Sequence, residues 1–321
     1  MNIRRLIPTA AVAGAVVLGL TALSACSPSD AAARKAGDKL NVVASFYPMQ
    51  FLAEEIGGTH VSVSTLTKPG VEPHDLELSP RQIGGLGDAD YILYLKGIQP
   101  AVDDAIKLSG STHSVDAGKL TTLEDHGTET GGDEHGHEHG SEHKGEGAGA
   151  DPHIWLDPLK YAEVAKGVGA SLEKTDPGHA ADYRKNTDAL VKRLDALNTA
   201  YETGLKNTAT KTFITTHSAF GYLAERYGLV QEGIAGIDPE AEPSPARIQE
   251  IHTIAKKTKA TTVFFETLAS DKTAKTVAAD TGLRTDVLDP LEGITDKSKG
   301  ADYFEVMQSN LAALQKALGA K

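Results

Sequence analysis

Two stretches of strand–helix alternation, separated by a long helical segment, constrain this chain more than any other feature. Short strand-like runs recur at residues 40–46, which is apolar, at 60–66, which alternates, and at 90–95, and again at 211–216, 229–233, 261–266 and 284–288. Helical spacing fills the intervals: 49–56, a short segment opened by Ser79 as cap with Pro80 in the first turn, and 99–108, then 219–227, 244–258, 271–281 and 302–317. Buried parallel strands read as unbroken apolar runs, and their crossovers require helices. The pattern therefore predicts an α/β protein with parallel sheets flanked by helices. Residues 158–172 read as a helix, and so do 178–206, where Leu190, Leu194, Leu197, Tyr201 and Leu205 recur three or four apart. The latter helix would span about 40 Å at 1.5 Å per residue. It is expected to join two α/β lobes, one over 39–172 and one over 208–321, with the linking helix at 177–207.

The ends and the charge narrow the setting. Arg4 and Arg5 precede an apolar, small-residue stretch over 6–23, and Leu23-Ser24-Ala25-Cys26 follows. A basic start, a short apolar core and small residues before a cut describe a secretory leader, here 1–25. Cys26 is the single cysteine, so no intrachain disulfide can form. Leu-Ser-Ala-Cys resembles the bacterial lipobox, which makes Cys26 the expected site of lipidation and residues 26–38, small and polar, the flexible tether of an extracytoplasmic protein held on the cell membrane. The net charge of −12 argues against a nucleic-acid partner, which calls for a basic face, and agrees with a protein that attracts cations.

Residues 124–150 break the pattern. They contain almost no apolar side chain and concentrate Gly, His, Glu and Asp, with His126, His135, His137, His139 and His143 among them. Such a composition cannot offset its ordering entropy, so a mobile loop is expected, and its imidazoles form a possible secondary metal-binding tract.

Four segments place a ligand-type residue just beyond a strand-like run or in a Pro-rich turn: GVEPHDLELSP with His74, ADPHIWLDP with His153, FITTHSAFGYL with His217 and TDVLDPLEGI with Asp289. In open α/β sheets, ligands bind outside the carboxyl ends of strands. Three imidazoles and one carboxylate suit tetrahedral Zn²⁺, and imidazole favours zinc over the harder Mn²⁺. Asp157 and Glu266 read equally as groups orienting the imidazoles or as caps and solvated ends. His60, His113, His179 and His252 read as ordinary surface or hydrogen-bonded histidines. No HExxH helix and no nucleophile elbow is present, so a secreted zinc hydrolase has little support and no catalytic residue is assigned. A surface adhesin finds no residue that specifies a partner.

Taken in order, these four segments resemble the zinc and manganese solute-binding lipoproteins of ABC importers, the ZnuA-like and TroA-like group, from Lys39 to the C-terminus. The resemblance implies two α/β lobes joined by one rigid helix, with the metal in the cleft between them. It implies His74, His153, His217 and Asp289 as ligands. Glu72 is the weaker candidate for the fourth position, because Pro73 stands where some zinc members carry an acidic residue next to the first histidine. Manganese members tend to have Glu in place of His217, so the resemblance implies Zn²⁺ as transported ligand, with a Mn²⁺ carrier as the alternative. Zinc members often carry a His-rich loop before the second ligand histidine, as here. The implied partners are a membrane permease with its cytoplasmic ATPase, and the implied state is a monomer without enzymatic activity.

Overall fold

The structure is a computed structural model that describes residues 38–126 and 150–321. The leader, Cys26, nearly all of the tether, and His135, His137, His139 and His143 lie outside the described residues. Lys39–Lys321 forms one compact unit.

Two four-stranded parallel sheets organise it. The first contains β1 (Leu40–Ala44), β2 (Val61–Thr65), β3 (Tyr91–Tyr94) and β4 (Ser114–Asp116) in the order β2-β1-β3-β4. Leu40 pairs with Val61 at one end of the β1–β2 register and Ala44 with Thr65 at the other. The second contains β5 (Thr212–Thr215), β6 (Val230–Gly233), β7 (Thr262–Phe265) and β8 (Arg284–Val287) in the order β6-β5-β7-β8. β4 is one strand more than the apolar runs predict. It is short and largely polar, and it exists because Ser114 and Val115 pair with Ile92 and Leu93 of β3.

The crossovers are helical. The first lobe carries α1 (Tyr47–Gly57), α2 (Pro80–Gly87) and α3 (Pro100–Ser109). Ser79 and Gln82 form a reciprocal capping box at the start of α2, with Pro80 in the first turn. Then α4 (Pro158–Thr175) leads to α5 (Ala180–Leu205), a helix of 26 residues. The second lobe carries α6 (Gly221–Arg226), α7 (Pro245–Thr258) and α8 (Lys272–Thr281), and the chain ends with α9 (Tyr303–Leu318).

α5 buries Tyr183, Leu190, Leu194, Leu197, Tyr201 and Leu205 along one stripe against α4, α1 and α9. The largest apolar cluster includes this stripe together with residues of both sheets, so the two lobes share a core along the helix. Smaller clusters fill the outer faces, around Ile92 and Ile106 in the first lobe and around Ile251 and Val263 in the second. Three buried tyrosines hold the shared core with hydroxyl bonds: Tyr161 to the Pro48 carbonyl, Tyr201 to the Met307 carbonyl and Tyr303 to the Trp155 carbonyl, all at 2.6–2.7 Å. Among the described residues no helix is long and apolar enough to cross a membrane.

The α4–α5 crossing depends on one missing side chain. A Cβ at Gly169 would fall 2.2 Å from the Thr187 hydroxyl oxygen and 3.1 Å from two of its carbons. Thr187 cannot step aside cheaply, because its hydroxyl donates to the Tyr183 carbonyl at 2.8 Å. Gly169→Ala is expected to lower the stability of the unit by about 1–3 kcal/mol in a urea titration, the usual cost of overpacking. An unchanged midpoint would mean that the helices are free to spread.

Candidate metal centre

Both sheets present the carboxyl ends of their strands to the same space. β2 ends at Thr65 and runs into the loop that carries His74. That loop is fastened at its root: the Thr67 hydroxyl donates to the Ser45 carbonyl at 2.8 Å, and Gln82 and Gln99 donate to the Leu66 carbonyl and the Thr67 hydroxyl, each at 2.8 Å. Leu76 and Leu78 pack on the outer cluster of the first lobe. His153 follows Asp151-Pro152 and precedes a single turn of tight helix, Ile154–Leu156, whose three side chains are buried. Trp155 anchors this turn across the molecule by donating from Nε1 to the Pro290 carbonyl at 2.7 Å. In the second lobe, His217 lies two residues beyond β5, and its carbonyl accepts from the Thr215 hydroxyl at 2.6 Å.

These three histidines converge. Their ring centroids are 5.8 Å apart for His74 and His153, 6.3 Å for His74 and His217, and 5.6 Å for His153 and His217. The carboxylate that joins them belongs to Glu292. Its Oε1 stands 3.4 Å from His74 Nε2, 3.2 Å from His153 Nε2 and 3.5 Å from His217 Nε2. One ligand atom from each of the four residues lies within 4.8 Å of the others. The side chains of His153, His217 and Glu292 are essentially sealed from solvent, and that of His74 is 9% exposed. His217 Nε2 and Glu292 Oε2 are buried with no hydrogen-bond partner among the described residues. Buried polar atoms are costly when left so, and His217 Nε2 is one of the nitrogens facing Glu292 Oε1.

Asp289 is not part of this group, which corrects the expectation that it supplies the carboxylate. Its Oδ1 accepts from the Leu291 amide at 2.8 Å and its Oδ2 from the Thr267 hydroxyl at 3.1 Å. Asn310 clamps its backbone from both sides, at 2.9 and 2.7 Å. Asp289 therefore braces a turn in which Leu291 adopts φ of +59°, a left-handed conformation that a branched residue rarely takes. The turn delivers Glu292. The strand-end rule points to the first acid after β8, but both oxygens of that acid are occupied in holding the turn, and the free carboxylate comes three residues later within the same LDPLEG segment.

The imidazoles are oriented from behind. His153 Nδ1 meets Asp151 Oδ1 at 2.8 Å, and His217 Nδ1 meets Glu266 Oε1 at 2.8 Å, so each Nε2 faces Glu292. Of the two residues that could orient or cap, Glu266 orients, and Asp157 caps α4 through the Leu159 amide at 2.9 Å while pairing with Arg226 at 2.7 Å. Asp151 was not predicted; its place two residues before His153 was the available signal. Glu72 adjoins the group without joining it. Burial first, and then the charge of Glu292, raise its carboxyl to about 8, and one of its oxygens accepts from the Asp75 amide at 3.2 Å.

The electrostatics follow. Burial alone would lower the pKa of His153, but its bonds to Asp151 and Glu292 outweigh this and raise it. His217 is likewise penalised by burial, yet Glu266 and Glu292 lift it well above the ordinary value. Burial would raise Glu292, but the three histidines hold it well below the usual carboxylate range. His126 stands outside the group, with Nδ1 3.0 Å from Asp151 Oδ2.

Two α/β lobes on a shared helix, with two histidines from one, a histidine and a glutamate from the other, and all four facing one buried point, define the class of two-lobed solute-binding proteins with a metal-type cleft. The chain belongs to the ZnuA family: residues 42–317 match the model described as zinc-uptake complex component A, periplasmic. It is 38% identical over 314 residues to the high-affinity zinc uptake system protein ZnuA of Bacillus subtilis, covering 94% of this chain and 97% of that protein. It is 35% identical over 302 residues to the zinc-binding lipoprotein AdcA of Streptococcus pneumoniae, covering 91% of this chain and 58% of AdcA. The crystal structure of the Zn(II)-bound ZnuA-like domain of that AdcA superposes with a TM-score of 0.72 at 32% identity, covering 88% of this chain and 99% of that one.

Glu266→Gln keeps the shape but removes the charge behind His217 Nδ1. Zinc affinity measured by competition with a chelating dye is expected to fall about 10- to 100-fold, the usual cost of losing such a partner. An unchanged affinity would mean that Glu266 does not orient the ring.

Proposed function

We propose that this chain is the extracytoplasmic zinc-binding component of a metal ABC importer. In this reading Zn²⁺ is the cargo, held by the imidazoles of His74, His153 and His217 and by the carboxylate of Glu292, and handed to a membrane permease driven by a cytoplasmic ATPase. The observation that carries it is the convergence of three imidazole nitrogens on one buried carboxylate, with His217 Nε2 left without a hydrogen bond there. Zn²⁺ prefers four such donors at about 2.0–2.2 Å. Three neutral imidazoles and one carboxylate leave the dication with a single unit of positive charge, and Asp151 and Glu266 behind the rings oppose it. Manganese prefers harder oxygen donors, so this set favours zinc over Mn²⁺.

The division of ligands suits delivery as well as capture. His74 and His153 belong to one side of the shared helix, His217 and Glu292 to the other, so a small relative movement of the lobes breaks coordination without unfolding either. Lipidation at Cys26 would tether the protein to the outer surface of the cell membrane, and residues 26–38 would let the compact unit reach the permease.

Calorimetric titration of the chain from Lys39 onward tests this reading. One Zn²⁺ is expected to bind tightly in preference to Mn²⁺. Glu292→Gln should lose the tight phase, and Asp289→Asn should weaken it only through the turn. Tight binding that survives Glu292→Gln would overturn the ligand assignment.

The raised pKa values of His153 and His217 give the pH dependence a sign. The metal needs neutral imidazoles, and the metal-free cleft holds protons on them at a pH above the ordinary histidine range near 6.5. Zinc must therefore displace protons, and its affinity should fall with falling pH, beginning above about 6.5. At neutral pH the binding enthalpy should vary with the ionisation enthalpy of the buffer; an enthalpy independent of buffer would contradict this.

A further inference from the structure

A second group of ligand-type atoms lies outside the cleft. Glu124 and His126 follow Leu123 where the chain leaves the first lobe, and α6 places Glu225 opposite them. His126 Nε2 is 2.7 Å from Glu225 Oε2 and 3.8 Å from Glu124 Oε2. One ligand atom from each of the three lies within 4.8 Å of the others.

Each residue is set by contacts that leave its ligand atom facing the group. The other oxygen of Glu124 takes the Lys160 ammonium at 2.6 Å, and the Glu124 amide donates to the Tyr222 hydroxyl at 2.8 Å. The His126 ring stands edge-on to Tyr222, with centroids 4.3 Å apart. Its Nδ1 is fixed by Asp151, whose second oxygen fixes His153 Nδ1 at 2.8 Å. One buried carboxylate thus orients two imidazoles outward through their Nε2 atoms, one into the cleft and one toward the two glutamates. The arrangement at His126 repeats what Asp151 and Glu266 do in the cleft. The Glu225 side chain is 62% exposed, so the group is open to solvent. A cavity of about 280 Å³ adjoins it, lined by Glu124, Glu225 and Tyr222 together with Lys160, Asp157 and Arg226, the last two paired with each other at 2.7 Å, and it has room for water on an ion.

We propose that Glu124, His126 and Glu225 form a second divalent-metal site of the zinc class, completed by water and exposed to solvent. One imidazole and two carboxylates are a donor set that Zn²⁺ accepts with water in the remaining position; Glu225 and Glu124 offset its charge, Glu124 in part, since its other oxygen is shared with Lys160. The site is more open than the cleft and therefore binds more weakly and exchanges faster. It does not rest on the cleft assignment.

Cadmium-113 NMR separates the two sites, with Cd²⁺ standing in for Zn²⁺. The chain from Lys39 onward is used with His135, His137, His139 and His143 all replaced by alanine, so that no imidazole of that segment can serve as ligand. Two equivalents of Cd²⁺ should give two resonances. His126→Ala combined with Glu225→Gln should remove one and keep the other, whereas His217→Ala should do the reverse. A single resonance that is indifferent to His126→Ala and Glu225→Gln, or a second one that survives that double change, would overturn the proposal. Loss of only the His217-dependent resonance would count against the cleft reading and leave this site standing.

Discussion

The arrangement turns on a single buried carboxylate oxygen, Glu292 Oε1, with three imidazole nitrogens 3.2–3.5 Å from it. Like groups do not gather in a dry interior without a reason, because each is costly to desolvate. Here the cost is offset by charge: the carboxylate stays ionised because histidines surround it, and His153 and His217 are drawn toward their protonated forms because a carboxylate stands on each side of each ring. Proton and metal are thus alternatives for the same atoms. The carboxylates around His153 and His217 favour a positive charge at this point, and a dication supplies one without leaving it uncompensated.

The rest of the fold can be understood as the means of bringing those atoms together. Parallel strands deliver their carboxyl ends to one edge, so loops from two separate sheets meet there. α5 gives the lobes a common spine, and the tyrosine hydroxyls at Pro48, Met307 and Trp155 fasten the shared core across long sequence separations. Trp155 takes part twice, packing edge-on against Phe46 at 5.1 Å and donating to Pro290 in the turn that carries Glu292. The second side of the cleft is therefore linked directly to the segment that bears His153.

Much of this was legible before any coordinates. Strand-length apolar or alternating runs made seven of the eight visible, although β2, β6 and β8 are only partly buried, and the Ser79-Pro80 start of α2 could be read from its capping chemistry. β4 was not, because a three-residue strand at a sheet edge needs no apolar run. His74, His153 and His217 stood out by their surroundings, yet Glu292 is not singled out: the fourth position reads as Asp289, with Glu72 as the weaker candidate, and the sorting of carboxylates could not be done from spacing. It depends on where each carboxylate's hydrogen bonds go, and only the fold shows that Asp289 has used both oxygens on Leu291 and Thr267. The same limit hid Asp151, whose importance lies in touching two histidines that are 27 positions apart along the chain (126 and 153).

Crystals of the chain from Lys39 onward, grown with one equivalent of Zn²⁺ and measured on both sides of the zinc absorption edge, examine the central claim most directly. The account predicts one strong anomalous peak, bonded to Nε2 of His74, His153 and His217 and to the carboxylate of Glu292 at about 2.0–2.2 Å. A peak bonded to Asp289 in place of Glu292, or one lying away from these three histidines, would contradict it.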